Sequence, residues 1–84
     1  MVTVRLFGTL RLDSGLRAFE TEAESVRALY PLVLREIRRV RPDSAVTEKT
    51  LRACLVAVNG VRSTPRARLR DGDTVCFFSS AAGG

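Results

Sequence analysis

The segment SVRALYPLVLREIRRV, Ser25 to Val40, decides the fold. Val26, Leu29, Tyr30, Val33, Leu34, Ile37 and Val40 recur at three- and four-residue intervals, which sets one apolar stripe along a helix. Arg27, Arg35, Glu36, Arg38, Arg39 and Arg41 take the other side. Ser25 stands where its hydroxyl can accept a first-turn amide, and Pro42 marks the exit. Pro31 lies within the pattern, lacks the amide the helical ladder needs and crowds the preceding turn, so a kink or a later helix start is expected there. A helix with one apolar stripe needs a surface to cover it, and the flanking residues supply a sheet.

Upstream, Val2, Val4 and Leu6 alternate with Thr3, Arg5 and Phe7, the period of a strand with one buried face, and Phe7 falls on the other face. Asp13, Ser14 and Gly15 form a turn cluster in a generous loop over residues 8–15, and Leu16 to Glu22 pairs back as a second strand. Downstream, Asp43 to Thr50 reads as a polar loop and Leu51 to Val58 as a strand. Asn59-Gly60 predicts a type I′ hairpin turn with a short return strand near Val61, and a further connection begins at Ser63, Thr64 and Pro65. Asp71-Gly72-Asp73 makes a second tight turn before the last strand, Thr74 to Ser79. This order predicts an α+β fold, a mixed sheet of about five strands wrapped around one main helix. With neither repeats nor a linker, residues 1–84 read as one domain, a body over 1–79 and a mobile tail over 80–84. If the first and last strands lie parallel and adjacent, as in the β-grasp arrangement, Val75 and Phe77 face the helix and Phe78 emerges beside Phe7. An outward aromatic pair beside a tail suits docking better than cover by a loop.

Length and composition narrow the function. A chain of 84 residues excludes a bilobed enzyme, and its 45% hydrophobic and 27% charged residues are those of a folded domain. A domain this small buries only about 60% of its unfolded surface, which directs function to a face or an end. There is no His, the commonest general base and metal ligand, and two Cys cannot complete a structural zinc site, so no metal is expected. Cys54 and Cys76 lie in apolar runs and read as small hydrophobes. No export leader and no apolar run long enough to span a membrane is visible, which suggests a cytoplasmic protein with no membrane partner. The net charge of +5, with Arg35, Arg38, Arg39 and Arg41 on the helix and Arg62, Arg66, Arg68 and Arg70 later, invites a nucleic-acid reading. That reading lacks a recognised motif, and one Tyr and four Phe are too few to stack bases as well as pack a core. A solvated arginine face accounts for the same residues.

The chain ends SSAAGG. Read alone, Gly83-Gly84 suits a loose terminus as well as a working one. Glycine lacks Cβ, so such an end can thread a channel closed to side chains. Five extended residues reach about 17 Å, enough to carry a terminal carboxylate into a partner's site. That carboxylate has an ordinary pKa of about 3.5 and is a poor acyl electrophile until activated. The economical route is adenylation, and since no phosphate-cradling loop is present in this chain, the ATP belongs to a separate enzyme.

LFGTLRLDSG (Leu6 to Gly15), AVNG (Ala57 to Gly60), LRDGDTVCFF (Leu69 to Phe78) and the Gly-Gly end, in this order, resemble the small sulfur-carrying subunit of molybdopterin synthase across essentially the whole chain. Phe7 with Arg11 and Gly15 favours that subunit over the shorter thiamine-pathway carrier. The resemblance implies a ubiquitin-like β-grasp fold and no intrinsically bound cofactor. It implies that Gly84 is adenylated by an enzyme resembling the ubiquitin-activating type and becomes a thiocarboxylate. The large synthase subunit would then receive the tail and use its sulfur to make molybdopterin. By position Gly84 carries the sulfur, Gly83 and Ala82 thread, and Phe7, Arg11 and Phe78 meet the partners. Ser79 and Ser80 depart from the prolines common in the family and imply a more flexible tail; Leu12 and Asp13 depart from its usual order after Arg11. Other customers for the same chemistry are thiamine, a tRNA base or protein lysines, and an idle-tail interaction module is a further alternative.

Overall fold

The computed structural model describes residues 1–79; residues 80–84, the segment expected as a mobile tail, lie outside the described residues. The elements run β1 (Val2–Phe7), α1 (Thr9–Ser14), β2 (Ala18–Thr21), α2 (Val26–Val40), α3 (Glu48–Arg52), β3 (Leu55–Val58), β4 (Val61–Ser63) and β5 (Thr74–Phe78). The five strands form one sheet in the order β2-β1-β5-β3-β4. β1 and β5 run parallel at its centre, and the other neighbours are antiparallel. This is the expected mixed sheet and helix of a ubiquitin-like β-grasp.

The sheet's inner face and α2 share the core, as the two sequence periods require. Val2, Val4 and Leu6 of β1 and Val75 and Phe77 of β5 are buried against Val26, Leu29, Tyr30, Val33 and Ile37 of α2. Phe77 meets Tyr30 edge to face, with ring centroids 6.1 Å apart. Each such side chain contributes about 1.5–3 kcal/mol by leaving water. Leu34 is half-buried and Val40 exposed, so the stripe weakens toward the end of the helix.

α2 starts at Val26 and includes Pro31, so the later start is not adopted. Ser25 Oγ accepts from the Ala28 amide at 3.2 Å. The Val26 and Arg27 amides donate to the Ala67 and Pro65 carbonyls of the connection after β4. The first-turn amides are thus satisfied by the N-cap hydroxyl and by the connection after β4, and Pro31 sits on the exposed side of the helix.

Two segments differ from expectation in the same sense, polar loops containing short helices. Residues 9–14, expected in a hairpin loop, form α1, and the second strand shortens to Ala18–Thr21. Within the expected polar loop over residues 43–50, Thr47 and Thr50 build a reciprocal capping box that starts α3, which buries Leu51 and delays β3 to Leu55. Isolated helices this short are unstable, so tertiary contacts decide them. The turns match expectation: Asn59 and Gly60 have φ of 51° and 83°, the positive pair a type I′ turn requires. The last strand ends at Phe78, one residue earlier than expected.

Candidate functional site: the outer sheet face and the root of the tail

Parallel pairing of β1 with β5 makes Phe7 and Phe78 register partners. Their rings stack 4.9 Å apart at 12° on the face turned away from α2. Leu55 of β3 is the next partner of Phe78, so Phe7, Phe78 and Leu55 form an apolar row across three strands. Phe78 is 39% exposed and Leu55 45%, so no loop covers the row among the described residues. One row away, Arg5, Cys76, Ala57 and Arg62 align across β1, β5, β3 and β4. The small residues Cys76 and Ala57 leave a hollow of about 300 Å³ lined also by Leu55, Phe78 and Arg62. The Arg5 guanidinium carbon lies 5.5 Å from the Phe7 ring centroid, within cation–π range. The patch is therefore apolar at its centre with arginine at two edges, the composition of a docking surface for a partner with matching carboxylates.

Arg11, the third residue assigned to this interface, sits half-buried on α1, four residues beyond Phe7. Its backbone carbonyl accepts from Gly15, and its side chain forms neither a hydrogen bond nor an ion pair among the described residues. Phe7 and Phe78 are thus brought together directly, whereas Arg11 lies on α1, the helix that follows β1. Ala82, Gly83 and Gly84 lie outside the described residues.

The chain leaves β5 through Ser79, and here the structure departs from the expectation of looseness. Ser79 Oγ accepts from the Leu10 amide at 3.1 Å and from Thr9 Oγ1 at 2.9 Å, and lies 3.4 Å from the Phe7 carbonyl, to which it donates. It supplies the side-chain cap that α1 lacks locally, because the residue in the cap position is Gly8. Gly8 has φ 70° and ψ −148°, a region open almost only to glycine, and a Cβ there would come within 2.6 Å of Ser79 Oγ. The other end of α1 is held from α2's exit: Arg41 Nη1 donates to the Leu12 carbonyl at 2.8 Å and Ser44 Oγ to the Asp13 carbonyl at 2.9 Å. From sequence, Arg5, Leu55 and Gly8 have no role at this site, Arg62 reads only as part of an arginine-rich surface and Ser79 only as a source of tail flexibility. Strand alternation extended over Arg5 and Leu55 was signal enough for those two, but the Gly8–Ser79 fit spans 71 positions and leaves no local signature.

Burial pushes the Cys54 thiol up, the reverse of what a nucleophile needs. Asp73, at the turn before β5, is held low by the Arg70 amide and then by the Asn59 side chain. Among the described residues no group of three or more His, Cys, Asp and Glu is placed to hold a metal, and no helix is long and apolar enough to cross a membrane.

No protein-family model and no curated protein matches the chain. Solved structures do. CysO in the Amycolatopsis orientalis BexX/CysO complex is 27% identical, with all of both chains covered and a TM-score of 0.69. A Pyrococcus furiosus protein described as molybdopterin converting factor subunit 1 is 26% identical over 95% of this chain and 97% of its own, with a TM-score of 0.63. Urm1 from Trypanosoma brucei is 28% identical over 99% of this chain and 94% of its own, with a TM-score of 0.65. The fold is that of a ubiquitin-like β-grasp, and the structures the chain is similar to are those of small ubiquitin-like sulfur carriers. Its likeness to a protein described as molybdopterin converting factor subunit 1 agrees with the resemblance that the sequence motifs carry.

Proposed function

We propose that this chain carries sulfur as a thiocarboxylate on Gly84 for molybdopterin synthesis in the cytoplasm, as one domain whose tail, Ala82 to Gly84, enters the sites of two partners. The observation that carries the reading is the Phe7–Phe78 stack, an outward aromatic pair, Phe7 half-buried and Phe78 exposed, at the end of the sheet where the chain leaves β5 for its Gly-Gly end. A separate activating enzyme of the ubiquitin-activating kind supplies ATP chemistry. The Gly84 carboxylate attacks the α-phosphorus, pyrophosphate leaves, and hydrosulfide then displaces AMP from the acyl-adenylate, giving the thiocarboxylate and releasing a proton. The chain's own contribution is to present an unhindered acyl end: Gly83 and Ala82 fit a narrow channel, while Phe7, Phe78 and Arg11 dock the body outside it. The large synthase subunit then receives the loaded tail, and its sulfur goes to the cyclic pyranopterin monophosphate.

Molybdopterin formation from that precursor tests the pathway, with purified large subunit and loaded chain as the only sulfur source. Product is expected with the intact chain and none after removal of Gly84. A second reading, the same carrier chemistry serving another acceptor, draws support from the likeness to a protein described as CysO in complex with BexX. Loading without molybdopterin formation would favour it.

A further inference from the structure

We propose that Ser79 is a positioning residue: its hydroxyl clamps the root of the tail to α1, so that the Phe7–Phe78 face, α1 and the exit of the chain act as one rigid unit when a partner takes up the tail. The inference rests on the carrier reading and specifies how its body aims its end. A serine hydroxyl has two acceptor sites and one donor, and all three are used here, by the Leu10 amide, Thr9 Oγ1 and the Phe7 carbonyl. Those partners come from the end of β1 and the first turn of α1, the same short stretch that bears Phe7 and leads to Arg11. Gly8 makes the approach possible, since any side chain there would overlap the hydroxyl. α1 is anchored at its far end by Arg41 and Ser44, so the clamp fastens Ser79 to a fixed element.

Fixing residue 79 fixes where the remaining five residues start, and pre-setting a start point lowers the ordering cost of binding. The effect belongs in the affinity for a partner that takes up the tail, with the chemical step untouched.

The test uses the full chain, Ser79→Ala and Ser79→Thr, in two measurements. In amide hydrogen exchange, S79A is expected to speed exchange at Leu10 about fivefold, the loss of one net hydrogen bond, with Val4 and Phe77 unchanged and S79T near wild type. In loading by an ATP-dependent activating enzyme with hydrosulfide as sulfur source, S79A is expected to raise KM for the carrier about fivefold at constant kcat, with S79T restoring it. A purely structural role would instead speed Val4 and Phe77 along with Leu10. Unchanged Leu10 exchange in S79A overturns the clamp, and faster Leu10 exchange with unchanged KM overturns its role in positioning. A wild-type chain that is never loaded overturns the carrier reading and the positioning role with it, while the exchange data still decide whether the clamp exists.

Discussion

Phe7 and Phe78 are 71 positions apart in the chain and directly opposite in the sheet, their rings stacked 4.9 Å apart on the side away from the core. Parallel pairing of the first strand with the last is what joins them. The sheet's inner residues, Leu6 and Phe77, are buried at the same level, so the outer pair is supported from beneath by the core and is free to serve a partner from above.

Phe78→Ala should therefore separate binding from folding. The stack contributes about 0.5–1.5 kcal/mol, so a modest fall in thermal midpoint is expected by circular dichroism. Affinity for the large synthase subunit proposed as its partner, measured by calorimetry, is expected to fall at least about tenfold, as for a central aromatic anchor. Equal affinity for variant and wild type would remove the aromatic pair from the interface.

Arg5 and Arg62 border the same face, and their contribution should carry a salt signature. Replacing both by Gln is expected to slow association with the partner and to flatten its dependence on ionic strength, leaving stability within about 0.5 kcal/mol. Stopped-flow association rates at several salt concentrations read this directly.

The Asn59-Gly60 turn does two tasks that mutation can tell apart. Asn59 supplies positive φ, and its side chain also donates to Asp73 Oδ1 and accepts from the Thr74 amide, each at 2.9 Å, tying the turn to the start of β5. Gly60 has open space where a Cβ would go, so Gly60→Ala meets backbone strain alone, about 1–2 kcal/mol. Asn59→Ala loses two hydrogen bonds as well as a residue suited to that backbone, and urea denaturation is expected to show the larger loss, about 2–4 kcal/mol.

Acid should weaken this corner and also α2. The Arg70 amide, and then the Asn59 side chain, hold Asp73 below its ordinary value, and the Arg39 guanidinium does the same for Glu36. A depressed folded pKa gives stability that is complete above the unfolded carboxylate value of about 4 and is lost as pH falls through the folded one. Stability is expected to decline with falling pH in that window, and Asp73→Asn to make the decline shallower, as measured by denaturation midpoints between neutral pH and acid.

Much of this architecture is legible in the residues because the periods are clean. The stripe of α2, the alternation in β1 and the paired positive-φ residues at 59 and 60 each specify local geometry, and together they leave one face of a sheet to be covered by one helix. The alternation also turns Phe7 outward, and parallel pairing of the end strands then puts Phe78 beside it. What escaped local reading is held by distant partners. Residues 9–14 carry turn formers and fold as a helix because Ser79 caps one end and Arg41 with Ser44 the other. Residues 48–52 fold as a helix on a Thr-Thr capping box in place of the usual Thr-Glu pattern. Ser79, taken from sequence as a source of looseness, is satisfied at all three hydrogen-bonding sites in the folded chain.

The most direct measurement is the intact mass of the chain after incubation with an activating enzyme, ATP and hydrosulfide. Replacement of one oxygen by one sulfur, located by fragmentation to Gly84 and dependent on ATP, is the expected result. A mass that stays unchanged while a known carrier is loaded in the same reaction would contradict it.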